Sequence, residues 1–549
     1  MTTLTRSRES VPDAAPSSST ALTGTRRLLQ FGLRRDRVRM PVWALSIGGL
    51  IAYFGAAIPA VYPDAAAMQT RAEIMRDPSG AFMTGPGYGL DDYTFGVMIA
   101  NEMLGMIAVA VALMSILLVV RHTRAEEEAG RVDLVRAGAV GRRAPLSAAL
   151  VLLLVANLAI AAVLLAALLV NDLALPDSAA IAAGAAVVGL VFGSLAAVTA
   201  QLSEHARTAS GTAGGLLGLA YVLRGVGDAA QPGGSTLSWM SPIGWAQQTR
   251  AFVDLRWWPL LVGVGVAALL LTASFGLVGH RDVGAGLLPA RRGRPAASRG
   301  LPSPTGLTLR TERASIAWWA VGLFVFALLT GSMGRGIVDS FESQPQLAEV
   351  FGGAGQDDVL RSTLSAFLAF FAMAVAVHAV VSINRLNHEE DEGRTGVVLA
   401  TAVSRPAWLG GSVLVSALSS TLLLLASGLG VGAGAASSVG DPGLVGAFTL
   451  ASLAHLPIVL CFTGLAALAH GLRAGKWWLW ALLVASILVG LYGPLFDLPG
   501  VVLDAAPFAL TPRAPYETVT LPPLALITIT AATLVVAATA ALRRRDVTA

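Results

Sequence analysis

Two short clusters of charged residues contain the side chains best suited to chemistry in this sequence. Adding 263 to each residue number of the first cluster gives its counterpart in the second, where Asp391 is the counterpart of Glu128 and Glu392 is an additional carboxylate. Carboxylates beside arginines form ion pairs, either with each other or with arginines of another protein. Because the pattern recurs, we expect both clusters to recognise a partner rather than only to neutralise nearby arginines. The residues concerned are Glu126, Glu127, Glu128, Gly130, Arg131 and Arg142, and Glu389, Glu390, Glu392, Gly393, Arg394 and Arg405.

Each cluster is expected to begin a short amphipathic helix. Thr123, with a glutamate three residues later, predicts a capping box, and Asn387 predicts a looser version of it. The following turns carry apolar residues, among them Leu134 in the first copy and Val397 in the second. A helix with an acidic start and an apolar face fits a groove on another protein. The alternative is a solvated helix whose carboxylates only favour its N-terminus.

The sequence contains no evident catalytic centre. Lys476 is the only lysine among 38 basic residues, so a phosphate-binding loop would have to use it. Gly471 is one residue too close to it, and Trp477 replaces the hydroxyl residue of that motif. The single cysteine, Cys461, excludes a disulfide framework and a cysteine-rich metal site. We therefore predict no catalytic residue, no metal site and no resident cofactor in this chain.

The elements that position the clusters are expected to be transmembrane helices. The 549 residues are 55% hydrophobic and 13% charged, with a mean hydropathy of +0.68. Soluble domains carry about 25% charged residues, and a span needs about 20 apolar ones. Apolar runs of that length lie at about 41–62, 94–120, 146–170, 177–202, 210–226, 258–280, 315–337, 361–384, 407–429, 443–470, 475–495 and 522–542.

The arginines predict the orientation of these twelve spans. They are concentrated before the first run, after the second and behind the last, and such segments stay in the cytoplasm. Both termini are therefore predicted to be cytoplasmic, in a multi-pass protein of the plasma (inner) membrane. A net charge of only +4, placed beside apolar runs, favours membrane topology over nucleic-acid binding.

The two halves of the chain are predicted to be copies. Arg281-Asp282-Val283 aligns with Arg545-Asp546-Val547 at a shift of 264, and Asp36 aligns with Glu312 at a shift of 276. The difference locates an insertion of about a dozen residues in the first external loop. Six spans in each half give both copies one orientation. The predicted fold is an all-α polytopic membrane protein with twelve transmembrane helices in two parallel six-helix repeats.

At the charged clusters the sequence resembles the ABC-2 family of ATP-binding-cassette exporter permeases. In that family the loop between the second and third spans has a Glu-rich stretch, a glycine, a hydrophobic helix and a Pro-Val-Ser-Arg-like turn. The segments 126–142 and 389–405 follow this order without the proline, the first copy departing further. From about Arg26 onward the chain is similar to two such permeases fused, as in actinobacterial tetronasin-type antibiotic exporters. The resemblance implies that both loops bind separate ATPase subunits, two copies in all, which hold ATP and magnesium.

Composition and the resemblance together predict the domain boundaries. An elbow helix precedes the first span in that family, and Arg26–Met40 suits it, with a merely basic tail as the alternative; Leu307–Arg313 is a shorter second copy. We predict a disordered cytoplasmic tail at 1–24, a first half at 25–280, a cytoplasmic linker at 281–306 and a second half at 307–549. The coupling loops are the first acidic loop, residues 121–146, and the second acidic loop, residues 385–406.

Spans 2, 5, 8 and 11 line the central route in ABC-2 permeases. An ionisable residue inside a span is costly, which makes Glu102 the preferred polar candidate. Packing or lipid contact is the alternative for the aromatic candidates. The predicted pathway residues are Glu102, Met103, Met106, Phe367, Phe370 and Phe371.

These observations predict the permease subunit of an exporter for hydrophobic or amphipathic compounds such as antibiotics, other drugs or lipids. The rival is a proton-driven transporter of the major facilitator kind, because Gly130-Arg131 with Gly141-Arg142-Arg143 is similar to its loop motif. The length of the loop, the acidic cluster before it and the lack of a buried carboxylate array weigh against that rival. A membrane-bound polymerase or glycosyltransferase should show acidic metal-binding motifs, and none is evident.

Overall fold

The fold consists of α-helices joined by short loops, which is how an apolar chain satisfies its backbone hydrogen bonds in a membrane. The computed structural model describes residues 21–62, 64–76, 78–282, 284–288, 295–297, 300–335, 338, 356–475, 477–492, 499–504 and 506–546. Within these ranges no residue lies in a β-strand. The chain divides into two units, Met1–Arg292 and Gly293–Ala549, each with its own buried apolar core.

The first unit runs from the elbow region to the end of the sixth predicted span. A π-helical turn, Ile99–Met103, joins α5 to α6. Its helices are α1 Thr25–Arg35, α2 Arg39–Val61, α3 Ala65–Arg76, α4 Pro78–Met83, α5 Phe95–Met98, α6 Leu104–His122, α7 Arg124–Glu128, α8 Arg131–Arg136, α9 Ala144–Val170, α10 Leu175–Leu202, α11 Ala206–Ala230, α12 Thr236–Trp239, α13 Pro242–Gln247 and α14 Trp258–Val278.

The long helices of the second unit lie between residues 304 and 544. Two 3-10 turns, Leu453–His455 and Pro507–Leu510, lie between its helices. The helices are α15 Pro304–Ser332, α16 Gln356–Asp391, α17 Arg394–Leu399, α18 Arg405–Val439, α19 Gly443–Ser452, α20 Leu456–Gly471, α21 Trp477–Tyr492, α22 Gly500–Asp504 and α23 Leu521–Arg544.

Ten helical segments among the described residues are long and apolar enough to cross a membrane. They are Arg39–Pro59, Phe95–Glu128, Ala144–Val170, Leu175–Leu202, Trp258–Val278, Pro304–Ser332, Asp358–Asp391, Arg405–Val439, Gly443–Gly471 and Leu521–Arg544. The chain is thus an all-α protein with multiple candidate spans. The predicted fifth span of each half falls outside this set. Helix α11 has 25 residues but includes Arg207, Arg224 and Asp228, and α21 has only 16 residues.

The start of each half differs from its prediction. Residues 1–20 of the predicted tail lie outside the described residues, as does Lys476. Residues 21–24 form a turn, and carbonyl oxygens in this turn accept hydrogen bonds from the backbone N–H groups of Gly141 and Arg143, at 3.0 and 3.1 Å. Residues 21–24, which were predicted to belong to the tail, are thus folded. Helix α1 is a separate elbow, but the second predicted elbow, Leu307–Arg313, is wrong as a separate element because α15 runs through it unbroken.

The predicted capping boxes are also wrong. The Thr123 hydroxyl donates to the carbonyl of Val119 at 2.6 Å, and Asn387 lies inside α16. The acidic clusters therefore come at the ends of helices, just before Gly130 and Gly393. Both glycines have a positive φ, +69° and +73°, the left-handed conformation that terminates a helix. The glutamates that the capping-box pattern assigned to backbone N–H groups bind other side chains instead, as described below.

Helices α15 and α18 approach closely because small residues line their contact. A Cβ at Gly434 would overlap the carbonyl oxygen of Leu328, and one at Gly430 would lie 2.6 Å from the carbonyl oxygen of Phe324. Small residues allow helix backbones to approach in lipid, where dispersion forces replace the hydrophobic effect as the source of association. A larger side chain would therefore separate the two helices.

We predict that Gly434→Val destabilises the second unit. Overpacking a close helix contact costs about 1–3 kcal/mol, which should lower the unfolding temperature in detergent by about 4 °C or more. The matched control is Gly322→Val in α15, where nothing lies within 4 Å of the added Cβ. Equal unfolding temperatures for the two variants would contradict close packing at Gly434.

Candidate functional site

The second carboxylate of each acidic cluster pairs with an arginine behind the last long helix of its unit. Arg281 donates to both oxygens of Glu127, at 2.5 and 2.7 Å, and Arg545 donates to Glu390 at 2.5 Å. The Glu127 and Glu390 side chains are only 14% and 4% exposed. One ion pair, made by equivalent residues, thus ties the acidic loop to the end of the last helix in each unit.

The far end of each acidic loop is tied to the same place. Arg142 donates to the carbonyl oxygen of Arg281 at 2.7 Å, and Arg405 donates to that of Arg545 at 2.5 Å. The two predicted arginines therefore bind backbone inside their own unit. Each acidic loop is held at both ends by one arginine, Arg281 shortly after α14 or Arg545 directly after α23, so the loop and that helix end form one connected body.

The first carboxylate of each cluster makes a local pair across the glycine turn. Arg131 holds both oxygens of Glu126 at 2.8 and 2.9 Å, and Arg394 holds those of Glu389 at 2.6 and 2.9 Å. The hydrogen bonds to Glu126 raise the pKa of Arg131, and those to Glu389 raise the pKa of Arg394. Glu126 also pairs with Arg35 of α1, which joins the elbow helix to the first acidic loop.

The remaining carboxylates of the clusters differ between the units. Glu128 accepts from the backbone N–H of Ala206 at 2.9 Å and lies 3.1 Å from His205, so it caps the start of α11. Glu392 pairs with His388 at 2.8 Å and with Arg394. None of the predicted glutamates is left without a partner within its own unit.

The short helices after the glycines present an apolar side chain to solvent. Leu134 in α8 is 79% exposed and Val397 in α17 is 73% exposed. They occupy the fourth position of two six-residue helices that begin with Arg131 and Arg394. The two loops thus expose a large apolar side chain at one equivalent position.

The structure gives Glu102 a partner that the sequence did not indicate. Its carboxylate accepts from Arg71 of α3 at 2.9 and 2.5 Å and from the Tyr93 hydroxyl at 2.6 Å, and it is 4% exposed. Burial lowers and the pairing with Glu102 raises the pKa of Arg71, with a net rise. Glu102 therefore fastens the inserted loop helix α3 to the π-helical turn at Ile99–Met103.

The other predicted pathway residues differ in their exposure. Met103 is buried at 5% exposure, whereas Met106 is 49% exposed. Phe371 packs in the core of the second unit against Phe326, with ring centroids 5.8 Å apart. Phe367 packs on Phe370, at 5.6 Å between centroids, and Phe370 is 40% exposed. Met103 and Phe371 thus lie in the buried cores of their units.

Sequence reasoning missed a second repeated contact, between the start of each half and the end of its second long helix. Asp36 pairs with Arg121 and His122, both at 2.5 Å, and is 3% exposed. The equivalent Glu312 accepts from Ser382 at 2.7 Å and lies 4.0 Å from Arg385. The signal was present, because Asp36 and Glu312 align between the halves.

The described residues contain no group of three or more His, Cys, Asp or Glu able to hold a metal ion.

Comparison with known proteins assigns the chain to a family. The family model described as "Multidrug efflux system permease Rv1217c, C-terminal domain" matches residues 26–281 and 301–543, and each matched segment lies within one unit. The multidrug efflux system permease protein Rv1217c of Mycobacterium tuberculosis is 37% identical over 542 residues, covering 97% of both chains. Together with the multiple candidate spans, these matches show that the chain belongs to the family of the multidrug efflux system permease Rv1217c.

Proposed function

We propose that this chain is the transmembrane subunit of an ATP-binding-cassette exporter. It moves hydrophobic or amphipathic compounds, such as antibiotics and other drugs, outward across the plasma membrane. Its twelve spans form two parallel sets of six with both termini in the cytoplasm. Two copies of a separate ATPase subunit supply the energy and bind ATP and magnesium.

The observation that carries this proposal is the repeated, exposed face of α8 and α17. Leu134 and Val397 project from equivalent short helices, each beside an arginine held in place by a glutamate. An apolar anchor with a charged rim is the usual composition of a protein–protein interface. Two such faces, one in each unit, suit two copies of one partner.

The proposal places the ATPase contact on different residues from those that the sequence suggested. Glu127 and Glu390 are engaged with Arg281 and Arg545 and are almost excluded from solvent. They therefore hold the loop in place, and the partner contacts the helix that follows. The need for a separate ATPase rests on the sequence, because the only lysine, Lys476, has the wrong neighbours for a phosphate-binding loop.

The relative's name supports the cargo class and the direction of transport. That protein is described as a multidrug efflux permease, and this chain matches it along nearly its whole length. A bundle rich in apolar side chains suits cargo that partitions into lipid. Glu102 gives no support to proton-driven transport, because it is held in an ion pair with Arg71 and a hydrogen bond with Tyr93.

We predict that replacing Leu134 and Val397 together by aspartate releases the ATPase. A charge placed in an apolar anchor should cost about 2 kcal/mol or more at each site, roughly thirtyfold in affinity. The measurement is the number of ATPase copies that co-purify with the tagged chain, together with ATP hydrolysis by the complex. The control is Leu472→Asp, which changes a 61% exposed leucine between α20 and α21. Full retention of both ATPase copies by the double variant would rule out this docking face.

A second prediction concerns the energy source. In proteoliposomes that contain the complete complex and ATP, drug transport should continue when a protonophore abolishes the pH gradient, because ATP hydrolysis is the proposed driving force. The chain without ATPase should transport nothing when only a pH gradient is imposed. Transport by the chain in that second experiment would support the proton-driven rival instead.

A further inference from the structure

We propose that Arg281 and Arg545 are positioning residues that link ATPase docking to movement of the last span in each half. The proposal rests on the function proposed above and names the contacts through which it operates. Through its side chain each arginine binds Glu127 or Glu390, and through its backbone carbonyl it accepts a hydrogen bond from Arg142 or Arg405. A docking helix lies between these two attachment points in each unit.

In the first unit the ion pair belongs to a cluster that joins three helix ends. Arg124, at 1% exposure, donates to Glu127 at 2.9 Å and to the carbonyl oxygens of Glu204 and Gly284, at 2.8 and 2.5 Å. Arg281 also donates to the side chain of Gln201 at 2.7 Å. The ends of α6, α10 and α14 therefore meet at the first acidic loop.

The second unit builds an equivalent cluster from different side chains. Arg545 donates to the carbonyl oxygen of His470 at 3.2 Å as well as to Glu390. The His470 ring lies 2.9 Å from Asn387, which is the counterpart of Arg124. The ends of α16, α20 and α23 meet there. Two different sets of neighbours thus preserve one feature, the Glu–Arg pair between the acidic loop and the last helix.

The physical consequence is a stiff connection. Glu127 and Glu390 have little access to water, so salt screens these pairs weakly, and removing the arginine leaves a largely buried carboxylate with fewer partners. A loop attached at both ends to one helix end cannot move far without it. Displacement of α8 or α17 by a closing ATPase is therefore passed to α14 or α23 instead of being absorbed by the loop.

The test separates coupling from folding. The variant carries Glu127→Gln, Arg281→Gln, Glu390→Gln and Arg545→Gln, which removes both charges of each pair, while the buried Arg124 keeps its hydrogen bonds to the carbonyl oxygens of Glu204 and Gly284. We expect two ATPase copies to remain bound and ATP hydrolysis to continue, while drug molecules transported per ATP fall about tenfold, a size typical of coupling between sites. The conservative variant Arg281→Lys with Arg545→Lys should restore most of that ratio.

The matched control removes an exposed pair outside the acidic loops. Arg76 and Asp91 lie 2.7 Å apart at 43% and 95% exposure, and Arg76→Gln with Asp91→Asn should leave transport per ATP unchanged. If the fourfold variant does not fold, Glu390→Gln with Arg545→Gln changes one unit only and should lower the ratio in the same direction.

Two results would overturn the inference. The first is an unchanged transport ratio in the folded variant. The second is a parallel fall of transport and hydrolysis together with a lower unfolding temperature, which indicates a purely structural pair. Failure of the unmodified chain to bind any ATPase would refute the proposed function itself. That result is distinguishable from failure of the present inference because it appears before any substitution is made.

Discussion

A carboxylate–guanidinium pair with little access to water is the interaction on which both units depend. Glu127–Arg281 and Glu390–Arg545 hold the acidic loops against the ends of the last helices, and the two short helices occupy their positions because of it. Removing one partner of such a pair costs more than an exposed ion pair contributes, about 3–5 against about 0–1 kcal/mol. Once these carboxylates are engaged, the exposed surface of each loop is the face that carries Leu134 or Val397.

The two units use one plan with different details. The first has a separate elbow helix, joined to the first acidic loop through Arg35 and Glu126, whereas α15 of the second is continuous from Pro304. Histidine in the first unit, His122, corresponds to Arg385 in the second, and both face an acidic residue near the start of their half. The repeated contacts all involve a charged side chain, and the contacts that differ surround them, so the shared feature is the attachment of the acidic loop.

The sequence predicted the long helices well and their ends poorly. Apolar runs are visible because lipid-facing helices must be continuously apolar, so ten candidate spans coincide with predicted ones. The ends depend on distant partners. The hydroxyl of Thr123 bonds back to Val119, and Glu126 binds Arg35, 91 residues away, so the local capping rule failed. Glu102 could be predicted as a candidate because a charged residue inside a span is costly. Its partner Arg71 lies in α3, in the predicted first external loop, where no sequence pattern indicated it. The alignment of Arg281 with Arg545 was visible, but only the structure shows which carboxylates they bind.

The central claim is that this permease works with two copies of a separate ATPase. The most direct measurement is the native mass of the complex purified from its own membrane in the presence of ATP and magnesium. The proposed function predicts one 56.4 kDa chain with two identical subunits that hydrolyse ATP. A chain that purifies without any ATPase and still exports drugs in proteoliposomes lacking ATP would contradict it.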